Sequence, residues 1–202
     1  LLGVGKNRKF VPTRYAITAA DSNVSLELVN RVKQFQELGE FQLLHSRYLG
    51  NTFYVLLLPS LWGFEQIEAW HPGSTWVSEG TEIQMSQDHE LYKGRTTYAE
   101  NVAGGYYAGR LAVAEYLQKI KRQAAVVVFR EVSNEYPFSL GVWVVRESMR
   151  HAMQGEVKTF SDIHSALAYL DNNLTIPINY WKKTSKLLDY FTHQKRIKDF
   201  IS

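Results

Sequence analysis

Residues 104–153 constrain the fold more than any other stretch of the chain. They open on a helical pattern, continue into an unbroken β-branched run at 124–129, and end on a second apolar stripe at 142–153. A strand of that composition is apolar on both faces, so it belongs in the middle of a sheet with cover on each side. We therefore expect an α/β or α+β fold, a mixed β-sheet packed with helices in a single domain.

Charged side chains are set among the apolar residues of this stretch. At 100° per residue, Arg110 falls on the same helix face as Tyr106 and Val113, so it is predicted to point inward. Arg130 and Glu131 follow the buried strand at its carboxyl end, where sites gather in α/β sheets. An unpaired buried charge is costly. These residues therefore form either an internal salt-bridge network or the floor of a site.

The other segments give a coarse reading of the chain. A basic N-terminal arm at 1–9 and a C-terminal tail at 193–202 flank a mixed domain at 10–192. The run over 142–153 fits a helix or a strand, and we favour the helix. The remaining predictions are a strand over 10–18, a helix over 21–39, a hairpin of strands at 41–48 and 53–58, an irregular stretch at 61–90, a mainly helical segment over 94–120, and helices over 159–172 and 177–191.

Composition narrows the class of protein. The 202 residues include no cysteine, which excludes a disulfide framework and a thiolate metal site and favours a reducing compartment. We expect a cytoplasmic protein. No apolar run approaches the roughly 20 residues of a spanning helix, and residues 1–14 lack the apolar core of a signal peptide. No membrane partner is expected. The net charge of +3 is compatible with nucleic acid but too small to indicate it.

Three local features leave two interpretations each. The three Trp residues within 62–76 are either loop packing or a stacking platform for bases. Gly104 and Gly105 permit close packing of another element or a phosphate at a helix start. Residues 88–90 (Asp-His-Glu) crowd metal-capable side chains without the spacing of a ligand set, so we interpret them as a solvated turn and expect no metal site.

The chain ends on a short motif with polar and apolar anchors. Gln194, Ile197, Phe200 and Ile201 form the pattern Q-x-x-h-x-x-a-h, in which h is aliphatic and a is aromatic. One turn at three-residue spacing places Ile197 and Phe200 on the same side. The segment resembles the PIP box, the peptide by which replication and repair proteins dock on the sliding clamp PCNA. The alternative is a frayed helix end whose Phe200 folds back.

Several longer stretches together carry a family resemblance. They are GVGKNRKFVPTRYAIT at 3–18, YLGNTFYVLLLP at 48–59, IEAWHPGSTW at 67–76, GRTTYAENVAGGYYAGRLAVAEYL at 94–117, RQAAVVVFREV at 122–132 and LGVWVVRESMRHAM at 140–153. They resemble the archaeal Nre family of DNA repair proteins, in its C-terminal portion. Family members end in a PIP box, so the resemblance implies DNA damage repair through the clamp without supplying a reaction. Family members also tend to carry a Cys-rich zinc-binding segment near the N-terminus; zinc is therefore implied only outside this sequence.

Three functions follow as hypotheses. The first is a clamp-associated DNA repair factor that binds or acts on DNA. The second is an enzyme acting on DNA or a nucleotide, for example by NAD-dependent ADP-ribosyl transfer, in which an Arg holds phosphate and a Glu orients the ribose. The third is a module that only bridges partners. The residues assign no cofactor. The candidate site for the enzyme consists of Arg14, Arg110, Arg130, Glu131, Arg146 and Glu147.

Overall fold

A computed structural model describes residues 13–74, 77, 82–136 and 140–193. The described residues form six helices and six strands. The strands are β1 (Phe41–Tyr48), β2 (Asn51–Leu58), β3 (Gly63–Trp70), β4 (Gln84–Glu90), β5 (Ala125–Val132) and β6 (Lys158–Phe160). The helices are α1 (Thr13–Val32), α2 (Gly104–Ile120), α3 (Val142–Ala152), α4 (Ile163–Asp171), α5 (Ile178–Thr184) and α6 (Lys186–His193).

All six strands join one sheet in the order β4-β3-β5-β2-β1-β6. Only β3 and β5 run parallel, with Ile67 opposite Phe129; the other neighbours are antiparallel. The connection from β3 to β5 contains β4 and α2, which gives the length that a parallel crossover needs. The mixed sheet with helices predicted from the sequence is confirmed, and its mostly antiparallel pairing makes the fold α+β.

Helices cover both faces of this sheet because its central strands are apolar on both sides. Every residue of β5 is buried. Val126 and Val128 join the core under α2 and α3, whereas Val127 and Phe129 join a second core with side chains of α4, α5 and α6. This alternation follows from the two-residue period of a strand. The result is two cores, one on each face of the sheet.

The N-terminal segment differs from its prediction. The alternation at 10–18 predicted a strand, but α1 begins at Thr13. Tyr15 and Ile17 are exposed on it, whereas Val29 and Val32 are buried farther along. The first half of α1 therefore lacks the apolar stripe that identifies a helix in a sequence. The prediction of a strand was wrong because the alternating residues are exposed, and only apolar residues that are buried reveal the periodicity of a helix or a strand.

Residues 61–90 also differ from their prediction as an irregular stretch, because they contain β3 and β4. Glu65, Gln66 and Glu68 of β3 are all buried. Acidic and amide side chains in a core strand hide the apolar pattern by which a strand is recognised. The solvated turn at 88–90 was likewise wrong, since these residues end β4 and Asp88 and Glu90 are buried.

The other elements agree more closely with the sequence, although the segment predicted to be mainly helical from residue 94 becomes helical only at Gly104. Gly94 and Ala103 have positive φ angles, which interrupt a right-handed helix. The hairpin of β1 and β2, the central strand β5 and the helical form of 142–153 are confirmed. The last predicted helix is two helices, because Ser185 between α5 and α6 has an extended backbone. No helix of the described part is long and apolar enough to cross a membrane. The arm at 1–9 and the tail from residue 194 lie outside the described residues.

Candidate functional site

Glycines on α2 bring this helix close to buried polar side chains of β3. A Cβ added to Gly105 would lie 3.0 Å from Oε1 of Glu68, and one added to Gly109 would overlap Oε1 of Gln66. A Cβ on Gly104 would meet Cγ1 of Val142 at 2.6 Å. The close packing predicted for Gly104 and Gly105 is therefore present, and it sets the start of α2 against both β3 and α3.

Arg110 points inward from α2, as predicted, and its guanidinium is saturated by protein groups. Nη1 donates to Oε2 of Glu90 at 2.8 Å, and Nε donates to Oγ of Ser25 on α1 at 3.0 Å. Arg110 is 2% exposed. Trp62 donates from Nε1 to the other oxygen of Glu90. Burial and the nearby Glu90 carboxylate raise the pKa of Tyr106 well above its ordinary value. This closed network holds α1, α2 and β4 together.

Arg130 forms a second buried pair, with a glutamate of the neighbouring parallel strand. Its Nη1 donates to Oε1 of Glu68 at 2.8 Å, while Nε and Nη2 both donate to Oδ1 of Asn51 at 3.0 and 2.7 Å. The guanidinium lies between the rings of Phe53 and Trp70, 5.6 and 5.2 Å from their centroids. Such stacking adds to the two sets of hydrogen bonds. The pair is therefore rigidly oriented.

A cavity of about 430 Å³ opens above the Arg130–Glu68 pair. It lies where β3 and β5 approach their carboxyl ends and where α2 and α3 begin. The carboxyl ends of parallel strands are a common place for ligand sites in sheets with crossover helices. The residues lining the cavity are Glu68, Trp70, Val77, Gln84, Met85, Ser86, Asn101, Val102, Ala103, Gly104, Gly105, Arg130, Tyr136, Gly141, Val142 and Val145.

Hydrogen-bonding atoms at this cavity remain open. Among the described residues, no group donates to Oε2 of Glu68, although its Oε1 accepts from both Gln66 and Arg130. The N–H groups of Gly104 and Gly105 likewise have no acceptor in the described part of the chain, and no side chain caps α2. Ala103, directly before α2, has a φ of 54°, a strained conformation for a residue with a side chain. Among the described residues, the cavity therefore offers a carboxylate oxygen and two backbone N–H groups, besides the polar side chains of Gln84, Ser86 and Asn101.

The other predicted site residues are distributed over separate clusters. Arg146 of α3 donates through Nη1 to both oxygens of Asp21 on α1, at 2.7 and 2.8 Å, and lies 3.3 Å from Oε1 of Glu147. Burial raises the pKa of Asp21, although Arg146 opposes that shift. Glu147 also accepts from Arg150, whose pKa is raised by its hydrogen bonds to Glu115. These ion pairs connect α3 to α1 and α2.

Glu131 serves a different part of the fold. Its carboxylate accepts the backbone N–H groups of Thr175 at 3.1 Å and Ile176 at 2.7 Å, in the loop between α4 and α5. Of the five candidate residues whose side chains the structure describes, only Arg130 lines the cavity above the Arg130–Glu68 pair. Arg146 and Glu147 lie next to each other, and Arg110 belongs to its own network. The side chain of Arg14 lies outside the described residues.

Sequence reasoning missed Glu68 and Glu90, the acidic partners of the two buried arginines. Both lie in the stretch that was predicted to be irregular, so neither was assigned to a strand. The sequence did contain a signal for these two glutamates, because a buried Arg on α2 and another on β5 each require a carboxylate partner.

The three Trp residues within 62–76 have different surroundings. Trp62 is 1% exposed and packs in the core, Trp70 is half-buried beside Arg130, and Trp76 lies outside the described residues.

Two further surface features lie away from this cavity. An apolar groove of about 660 Å³ runs between α6 and the segment after β4, with Leu61, Leu91 and Tyr190 exposed along it. A shallower basic depression of about 460 Å³ is formed by α5 and α6. No group of three metal-capable side chains is found within the described ranges.

Comparisons with known proteins place the chain in a family. Residues 1–77 match the family model "Archaeal Nre, N-terminal" and residues 90–200 match "Archaeal Nre, C-terminal". The match thus extends beyond the C-terminal portion to which the sequence resemblance pointed. No solved structure matches the chain.

Three curated relatives cover most of the chain. DNA repair protein NreB of Archaeoglobus fulgidus is 37% identical over 185 residues, which is 92% of this chain and 47% of the relative. DNA repair protein NreA of Haloferax volcanii is 40% identical over 86% of this chain and 42% of the relative. NreA of Archaeoglobus fulgidus is 36% identical over 83% and 42%. The chain therefore spans a little under half the length of these relatives. Since one family model covers more than half of the chain and all three relatives carry the same family name, the chain belongs to the archaeal Nre family.

Proposed function

We propose that this chain is part of a DNA repair factor that docks on the sliding clamp PCNA through its C-terminal tail and contacts DNA with its mixed domain. The observation that carries the proposal is the similarity, over most of the chain, to three relatives that are each named a DNA repair protein. The pattern at 194–201 adds support for the clamp, because a short peptide with a polar residue and apolar anchors is a recurrent docking element.

The clamp contact is tested with a single substitution in the tail. Phe200→Ala removes the aromatic anchor, and truncation of a buried aromatic at an interface costs about 2 kcal/mol or more, which is roughly thirtyfold in Kd. Isothermal titration calorimetry against archaeal PCNA measures this loss. Ser202→Ala, outside the motif, serves as the control and should bind like the unmodified chain. Equal affinity of Phe200→Ala would reject the proposed docking peptide.

The basic depression on α5 and α6 supports contact with DNA. Lys182, Lys183 and Lys186 are exposed around it, and none of the three forms an ion pair with another described residue. Unpaired lysines that converge on one concave surface suit the phosphate backbone, and each phosphate contact adds close to one unit to the salt dependence of binding.

The DNA contact is tested by the salt dependence of affinity for a short duplex. Replacement of Lys182, Lys183 and Lys186 by Gln should weaken binding and reduce the slope of log Kd against log salt by about 2 to 3. A control variant removes the same charge at the end of α2, by replacing Lys119, Lys121 and Arg122 with Gln. If both variants change the slope equally, this depression is not the DNA surface.

A second candidate function is an enzyme acting on a nucleotide, for example by NAD-dependent ADP-ribosyl transfer. The observation that favours it is the cavity itself, where the Glu68 carboxylate would orient the ribose. The pyrophosphate would lie outside the cavity, because the charge of Arg130 is already neutralised by Glu68. In such a transfer the bond from ribose C1′ to nicotinamide breaks, nicotinamide leaves, and an acceptor that loses a proton bonds to C1′. Release of nicotinamide from NAD in the presence of damaged DNA would support this candidate. If the wild-type chain releases no nicotinamide, the enzyme candidate is rejected, and the DNA repair proposal is unaffected.

A further inference from the structure

The charges at the cavity above the Arg130–Glu68 pair select the kind of group that fits there. The Arg130 guanidinium forms an ion pair with Glu68 and donates two further hydrogen bonds to Asn51, so its positive charge is already neutralised by a protein carboxylate. The Glu68 carboxylate lies against the first turn of α2, where it already compensates the positive end of the helix dipole. Because these charges cancel locally, the cavity favours a neutral polar group over an anion.

The open atoms of the cavity match the edge of a heterocyclic base. Oε2 of Glu68 accepts hydrogen bonds, and the N–H groups of Gly104 and Gly105 donate them. Gly105 lies against the same carboxylate, since a Cβ added to it would come 3.0 Å from Oε1 of Glu68, the oxygen that accepts from Gln66 and Arg130. Nucleobases present adjacent N–H donors and carbonyl or ring-nitrogen acceptors along one edge. A volume of about 430 Å³ is also within the usual range for small-ligand sites.

Exposed aromatic side chains flank the segments that line the cavity. Tyr98 lies three residues before the lining residue Asn101 and is 47% exposed, and Trp143 directly follows Val142 and is 44% exposed. Tyr98 also stacks on Tyr107 of α2, with ring centroids 5.3 Å apart. Exposed rings of this kind stack on bases of nucleic acid without reading their sequence.

From these observations we infer that the cavity receives a nucleobase displaced from the DNA stack. The inference rests on the DNA contact of the proposed function and names the ligand of this cavity. Glu68 and the first amides of α2 would bind the polar edge of the base, while Tyr98 and Trp143 would stack on its neighbours. Proteins that act on single bases use such pockets, and a base that is already unpaired is the least costly to accept.

The experiment compares two DNA duplexes that differ by one extrahelical base. Fluorescence anisotropy measures the affinity of the chain for a labelled duplex with a single-base bulge and for the fully paired duplex. Stacking and edge contacts predict a preference for the bulge of about tenfold or more. Ser86→Phe places a ring in the cavity from β4 and should abolish the preference while leaving binding to the paired duplex unchanged.

Two controls keep the result interpretable. Thr159→Phe adds the same ring to the exposed strand β6 at the opposite edge of the sheet, and it should retain the preference. Trp143→Ala changes only an exposed side chain, so it should fold normally and reduce the preference even if Ser86→Phe is unstable. Free deoxynucleosides at millimolar concentration distinguish a base in DNA from a free nucleotide as the ligand.

The outcomes separate this inference from the proposed function. A bulge preference that is lost in Ser86→Phe or reduced in Trp143→Ala, and retained in Thr159→Phe, supports the inference. Equal affinity of wild type for both duplexes overturns it but leaves the DNA contact and the clamp contact standing. Saturable binding of a free deoxynucleoside without any bulge preference also overturns it, since the source of the base would then be a free nucleotide.

Discussion

At the scale of single residues, each of the two buried arginines, Arg110 and Arg130, is paired with a buried carboxylate that would otherwise lie without a countercharge. Arg110 and Glu90 are both almost fully buried and form an ion pair at 2.8 Å. We expect Arg110→Met to destabilise the fold by about 3 to 5 kcal/mol, because it leaves the Glu90 carboxylate buried without a countercharge. Urea unfolding measures the change. Arg31→Met, which breaks an exposed pair with Glu27 on α1, should cost at most about 1 kcal/mol.

Asp162 gives a prediction for pH dependence. It caps α4 by accepting the N–H of Ser165 at 2.9 Å, and that bond together with the Ser165 hydroxyl lowers the pKa of Asp162 from 3.8 to about 2. A lowered carboxyl pKa stabilises the folded state above the unfolded value, and the stabilisation is lost as the pH falls from about 4 to about 2.

Asp162→Asn keeps a capping oxygen without the charge, so it isolates this effect. The melting temperature of Asp162→Asn should lie below that of wild type at pH 6, and the difference should shrink towards zero near pH 2. Thermal melts followed by circular dichroism at the two pH values measure both. A difference that is independent of pH would show that the ionised carboxylate is not what stabilises α4.

At the scale of elements, the glycine-bearing face of α2 sets the distance between this helix and β3. Ala normally stabilises a helix interior relative to Gly by about 0.5 to 1 kcal/mol. At Gly109 we expect the opposite sign, a loss of about 1 to 3 kcal/mol in Gly109→Ala, because the new methyl group would overlap the buried Gln66 amide. Gly39→Ala, where nothing lies within 4 Å, should be neutral or stabilising. Denaturant unfolding of both variants decides the sign.

The helices and strands differ in how well their type could be predicted from the sequence. The β-branched run of β5 and the apolar stripe of α2 have one periodicity each, so their types were predicted. Residues 142–153 fitted a helix or a strand, and the favoured helix is confirmed as α3. The inward direction of Arg110 followed from the same stripe. Strand β3 could not be predicted from its pattern, because Glu65, Gln66 and Glu68 take positions that apolar residues usually fill. Their burial depends on partners elsewhere in the chain, such as Arg130 and the backbone N–H groups of α6.

The candidate site was predicted only in part for the same reason. Arg130 was identified from its place after a buried strand, and it does line the cavity. The choice between a salt-bridge network and a site floor could not be made from residue types. The structure shows that Arg130 forms an ion pair with Glu68 and that both residues line a cavity. Arg110, Arg146 and Glu147 join elements, whereas the Arg130–Glu68 pair joins two strands beneath an open cavity. Which charges meet depends on the order of strands in the sheet, which no local pattern contains.

At the scale of the whole molecule, the chain combines a domain with two apolar cores and buried ion pairs with a tail that we propose binds the clamp. Removal of residues 194–202 tests this division most directly, with clamp affinity measured by calorimetry and the fold monitored by its melting temperature. We predict that the shortened chain loses detectable clamp binding, melts within about 2 °C of the full chain, and retains its affinity for DNA. Clamp binding of undiminished affinity by the shortened chain would contradict the account.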